Sequence, residues 1–192
     1  VSVKKEVGVV FQEDYFPKET TVSDLIKLQA SFFHKKVNVD EELKIMGLEK
    51  EKFQKVGTLS GGQKRKLSFL LATLHDPKLL ILDEPTTGLD PLMQNEFVEL
   101  IKEEKEKGKT ILMSSHMFEE IENTCERIIM IKDGRMVADE DINNIRSEMS
   151  KHYEITFSNV KDAMEFQKQY PGERKENTVY LLAKENINHL LS

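Results

Sequence analysis

Four consecutive apolar residues, Leu79-Leu80-Ile81-Leu82, run directly into Asp83-Glu84-Pro85. An unbroken apolar run of this length predicts a parallel strand covered on both faces. Such a strand needs neighbours joined through crossover helices, so it commits the chain around it to an α/β layer architecture. It also sets two carboxylates at the strand's carboxyl end, the edge where α/β proteins bind ligands.

The surrounding sequence supplies that alternation. Residues 7–11 (VGVVF) predict a short buried strand, and 12–20, with Pro17, a loop. From Thr21 the spacing is helical: Leu25, Leu28 and Phe32 share a face, with Ile26 and Phe33 beside it. Thr21 with Asp24 forms an N-cap. A second helix is predicted from about Asp40 to Met46, with Gly47 at its end. Residues 21–56 therefore form a helical insert. Leu67, Leu70, Leu71 and Leu74 make the next helical stripe. Asp90-Pro91 opens a helix with a buried stripe of Met93, Phe97, Leu100 and Ile101, ended by Gly108. A strand at 110–113, a helix at 117–124 and a strand at 128–131 follow. Asp133-Gly134 turns the chain into 135–138 as a hairpin. After about Ser147 the texture changes. Strands at 153–157 and 178–182 around a helix near 160–169 read as a βαβ-like tail, with a loop at Pro171-Gly172.

Five segments carry chemistry. Leu59-Ser60-Gly61-Gly62-Gln63 precedes the leucine-striped helix, with Ser60 and Gln63 at capping-box spacing. A helix start rich in glycine presents unpaired N–H groups to an anion such as a terminal phosphate; an ordinary capped helix start reads the same way. Of the pair at the strand end, one carboxylate suits Mg²⁺ and its neighbour can deprotonate a water; a solvated acidic turn is the alternative. Finally, Gly88-Leu89-Asp90 and Ser114-Ser115-His116 follow strands, as Gln12 does.

Composition narrows the class. With 28 Lys+Arg against 34 Asp+Glu, the net charge of −6 disfavours a general nucleic-acid binder. The single cysteine, Cys125, excludes an internal disulfide and a cysteine-rich zinc site. The densest apolar stretch, Leu67–Leu74, is far short of the roughly 20 residues of a membrane span. The chain begins at Val1, which is expected either from a trimmed Met or from a start partway into a longer protein.

Taken in order, these segments resemble the nucleotide-binding domain of ABC (ATP-binding cassette) ATPases, from Gln12 to about Asp139. LSGGQ is that family's signature motif. The resemblance implies a P-loop NTPase-like, mainly parallel sheet with a helical subdomain at about 21–75, and ATP and Mg²⁺ as ligands. Gln12 would be the Q-loop glutamine, touching Mg²⁺. Ser60, Gly61, Gly62 and Gln63 would bind the γ-phosphate of ATP held by an opposite subunit. Asp83 would be the magnesium carboxylate of Walker B and Glu84 the general base. Asp90 would cross the dimer interface, and His116 would contact the γ-phosphate. Partners would be transmembrane permease subunits and a second ABC ATPase subunit, identical or not, with no nucleic acid. The place would be the cytoplasmic face of the cell membrane.

The family's P-loop, G-x-x-x-x-G-K-[ST], is not among the 192 residues. Gly108-Lys109-Thr110 imitates its end, but Glu103 stands where the first glycine belongs. Gly57 and Gly62 have the glycine spacing, but Gln63 stands in place of the Lys. The expectation is a cassette lacking its N-terminal P-loop portion over 1–146, inactive alone, plus a small α+β accessory segment at 147–192. That tail is similar in placement to extensions of bacterial exporter-type subunits, although an importer stays open. The rival readings are a soluble ABC-type ATPase acting on ribosomes or DNA, and a non-catalytic regulatory cassette.

Overall fold

The structure, a computed structural model, describes residues 3–148, 151–170 and 172–183. Pro171 of the expected loop lies outside the described residues. The chain divides into two compact units, Val1–Thr124 and Cys125–Ser192, a division earlier in the chain than the change of texture at 146/147.

The first unit opens with a single turn, α1 (Val3–Glu6), and the strand β1 (Val7–Val10). Three helices follow: α2 (Val22–Phe32), α3 (Val39–Met46) and α4 (Gly61–Thr73). Then come β2 (Leu79–Asp83), α5 (Pro91–Glu106), β3 (Thr110–Ser114) and α6 (Phe118–Thr124). The strands form a parallel sheet in the order β1-β2-β3, with Val10 opposite Leu82 and Asp83 opposite Ser114.

Local signals start and stop these helices. Thr21 accepts from the Asp24 amide, Asn38 from Asp40, and Asp90 from Leu92 and Met93. Gly47 ends α3 at φ 64°, a left-handed conformation that glycine adopts without a Cβ penalty. Gly8 meets a tighter demand. A Cβ there would lie 2.2 Å from the Ala72 carbonyl oxygen, so α4 presses directly on β1.

Two expectations about burial change. Val10, Leu80 and Leu82 join one core with α2, α3, α4 and α5, centred on residues such as Ile26, Leu43, Phe69 and Phe97. The alternate row Val9, Ile81 and Leu112 does not, and Leu112 is 59% exposed. The strand at 79–82 is thus fully covered on one face only. In α2 the buried apolar residues are Val22, Leu25, Ile26 and Ala30, while Leu28 and Phe32 are exposed. The first turn explains the rotation. Val22 N–H donates to the Gln54 carbonyl and Ser23 N–H to that of Lys52, which turns the helix about its axis until Ile26 faces inward.

In the second unit, β4 (Arg127–Lys132) and β5 (Arg135–Asp141) form an antiparallel hairpin. Its turn residues Asp133 (φ 50°) and Gly134 (φ 72°) are both left-handed, as a tight hairpin requires. A helix not read from the sequence, α7 (Ile142–Glu148), follows, with the Asn143 amide bonded to Asp141. The tail comprises β6 (Lys151–Thr156), α8 (Val160–Gln169), β7 (Glu173–Lys175) and β8 (Thr178–Ala183). Here the βαβ-like expectation is corrected: the sheet order is β6-β8-β7 and every pairing is antiparallel. The reason is β7, a strand that the sequence pattern does not predict. A tight turn at Glu176-Asn177, with Glu176 at φ 52°, reverses the chain before β8, so β8 returns against β6.

Candidate active site

The carboxyl ends of the three parallel strands gather the residues that the sequence singled out. Gln12 lies just beyond β1, Asp83 ends β2 and Glu84 follows it, and His116 lies two residues beyond β3. Because Asp83 pairs with Ser114, the two strand ends are level.

The Ser114 hydroxyl donates to Asp83 Oδ1 at 2.6 Å. Its oxygen accepts the Glu84 N–H at 3.0 Å, and that same N–H lies 3.2 Å from the Ser114 carbonyl. Glu84 has φ 47°, an unusual conformation for a residue with a Cβ. The bend carries its carboxylate to His116, whose Nδ1–H donates to Oε2 at 2.6 Å. The Thr87 hydroxyl donates to the same oxygen at 2.8 Å. Glu84 is thus oriented by two donors, and the His116 side chain is 67% exposed.

The Ser60 segment sits at the start of α4. Its capping box is complete: Ser60 Oγ accepts from Gln63 N, and Gln63 Oε1 accepts from Ser60 N. The Gln63 amide nitrogen donates to Glu51 at 3.0 Å. Both ends of the Gln63 side chain are therefore engaged within the helical region. Gly61 faces open space, whereas a Cβ on Gly62 would press on the Met93 side chain. Asp90 caps α5. Among the described residues, no hydrogen bond or ion pair joins Ser60–Gln63 to Asp83, Glu84 or His116. Gln12 is exposed, and its main-chain carbonyl accepts from Arg65 on α4.

The donors fit a magnesium ion that is shared with a phosphate ligand. Asp83 is exposed, and the Ser114 hydroxyl orients one of its oxygens. Gln12 offers an amide oxygen on the adjacent strand end. Among the described residues no cluster of three His, Cys, Asp or Glu side chains could cage a metal alone. A single hard carboxylate completed by phosphate oxygens and water is the usual Mg²⁺ arrangement.

The ABC transporter family model matches residues 1–87. Over 141 residues, 71% of the chain, the sequence is 38% identical to the Nod factor export ATP-binding protein I of Neorhizobium galegae. Over 140 residues it is 35% identical to a linearmycin resistance ATP-binding protein of Bacillus subtilis. The chain belongs to the ABC transporter family of ATP-binding proteins. A solved structure of CbiO1 from Clostridium perfringens, part of the ABC transporter complex CbiONQ, superposes at a TM-score of 0.62. It is 29% identical and covers 76% of this chain and 61% of its own. These likenesses make the fold that of a P-loop NTPase, with a parallel sheet and helices. The chain spans 41% and 45% of the two curated relatives, so it holds part of the ABC domain.

Three residues around this candidate site escaped the sequence reading. Ser114 and Thr87 bond to the acidic pair, and Arg65 bonds to the backbone beside Gln12. Ser114 stood in the quoted Ser114-Ser115-His116 segment. Its role emerges only from the register that sets it opposite Asp83. Thr87 lies in the turn after Pro85, where nothing in the residue type separates a hydroxyl that orients a carboxylate from one facing water.

Proposed function

We propose that this chain is the ATP-hydrolysing part of a subunit that powers export across a membrane through transmembrane permease partners. The observation that carries this is the Glu84–His116 bond of 2.6 Å, beside Asp83 at the carboxyl edge of the sheet. Glu84 takes the proton of the attacking water, and His116 and Thr87 hold its carboxylate toward that water. Asp83 and Gln12 would hold Mg²⁺, and when bound the ion would neutralise charge on the phosphates. His116 contacts the γ-phosphate from its exposed side.

Ser60, Gly61 and Gly62 offer the start of α4 to the γ-phosphate of ATP on a second ABC subunit. With the Gln63 side chain engaged by Ser60 and Glu51, Gln63 contributes there through its backbone. Asp90, at the start of α5, lies at that dimer seam. The relative named for Nod factor export supports export, and no helix among the described residues is long and apolar enough to cross a membrane. In this reading the subunit works at the cytoplasmic face, and the permease selects the cargo. The test is Mg²⁺-dependent phosphate release by the full-length protein. Glu84→Gln is expected to lower turnover by about 100-fold or more while ATP still binds. Undiminished turnover would remove Glu84 as the base.

A further inference from the structure

Arg65 lies in the first turns of α4, two residues beyond Gln63, and its side chain is only 6% exposed. Its guanidinium reaches three oxygens outside its own helix. One terminal nitrogen donates to the Phe11 carbonyl and the other to the Gln12 carbonyl, the latter at 2.5 Å. The first also lies 3.6 Å from Asp14 Oδ1, whose side chain is 11% exposed. Consecutive carbonyls of an extended strand point to opposite sides. One planar fork can hold both only where the chain has bent, and β1 ends at Val10, just before them. The bend that presents Gln12 is thus gripped from α4.

The grip is charge-balanced. Burial pushes the Asp14 carboxyl up from its ordinary range, and a Ser68 hydrogen bond and the Arg65 charge pull it back. Ser68, like Arg65, belongs to α4. A buried guanidinium without such partners would be strongly unfavourable, so the three acceptors and the cation stand or fall together.

We propose that Arg65 is a positioning residue: it fixes the Gln12 backbone relative to the Ser60–Gln63 helix start, so that a nucleotide contact at either is felt at the other. This rests on the function proposed above, in which Gln12 reaches the magnesium–nucleotide complex. A lysine keeps the charge but presents a point rather than a fork, so it cannot hold both carbonyls in plane.

The test is a double-mutant cycle in the full-length protein with its membrane partner, using Arg65→Lys, Gln12→Ala and the pair. Arg65→Lys is expected to lower kcat by about 10- to 100-fold, as small misplacements do. It should also raise the Mg²⁺ concentration for half-maximal rate several-fold, with KM for ATP within about twofold. In the Gln12→Ala background the same substitution should have no further effect, because the group it positions is gone. Multiplying effects on kcat, or an Arg65→Lys protein with unchanged Mg²⁺ demand, would overturn the proposal. Arg65→Gln serves as the second variant. If neither variant folds, Arg65 is a structural residue and the proposal is likewise overturned. A wild-type protein that hydrolyses no ATP would overturn the function itself, and this inference with it, and is told apart by the inactive parent.

Discussion

At Glu84 the backbone enters the left-handed region, which costs a residue with a Cβ about 1–2 kcal/mol. Three contacts hold it there: the Ser114 main chain and hydroxyl at its N–H, Thr87 at its carboxylate, and His116 at the same oxygen. Ser114 does double service, since its own hydrogen goes to Asp83. Ser114→Ala removes the bond to Asp83 and one acceptor for Glu84. It is expected to lower stability by about 0.5–1.5 kcal/mol, the usual net worth of such bonds. In the full-length protein it should also raise the Mg²⁺ demand of ATP hydrolysis. Denaturant unfolding and a Mg²⁺ titration of the rate check the two effects separately.

Between elements, His75 joins three of them. It follows α4, its ring stacks on Phe33 at 3.9 Å and 7°, and Nε2–H donates to the Val7 carbonyl at 3.2 Å. Nδ1 is buried with no partner, as befits a neutral ring. Burial holds the His75 pKa below its ordinary 6.5, against the opposing pull of the Val7 carbonyl. As pH falls, the unfolded chain therefore takes up this proton before the native state does. The stability His75 contributes is whole above about 6.5 and is lost as pH falls through the lowered native value. Thermal unfolding is expected to show the midpoint falling on that acid side, with a shallower fall in His75→Gln.

Elements also show where legibility ends. The capping box of Ser60 and Gln63, the Asp90-Pro91 start and the Asp133-Gly134 turn were readable because each is a bargain among neighbours in the chain. The rotation of α2 was not, because backbone groups at Lys52 and Gln54 set it. β7 escaped for the same reason: a three-residue strand of charged residues exists through its pairing with β8.

Over the whole molecule, the excess of acidic residues means that phosphate must be met by local devices rather than by a basic surface. Under the proposed function those devices are a helix start, a histidine and a carboxylate for magnesium, but the 192 residues contain no G-x-x-x-x-G-K-[ST]. The chain alone is therefore expected to show no micromolar affinity for ATP with Mg²⁺ and no phosphate release. Isothermal calorimetry checks the first, and a heat signal saturating at micromolar ATP would contradict it. The row of Val9, Ile81 and Leu112, with Val9 and Leu112 exposed, belongs to this scale too, since a parallel sheet is ordinarily covered on both sides.

The amino-acid sequence by itself determined the family, the order of strands and helices from β1 through Thr124, and the residue types of the site. Those follow from short-range pattern: apolar runs, caps, turn residues and motifs in a fixed order. Only the tertiary structure decided that Ser114 stands opposite Asp83, that Glu84 meets His116 and Thr87, and that Arg65 grips the bend at Gln12. Each of these joins residues from separate elements or depends on strand register and backbone angle. Spacing along the chain carries the pattern of each element; the distance between elements is set by how they pack.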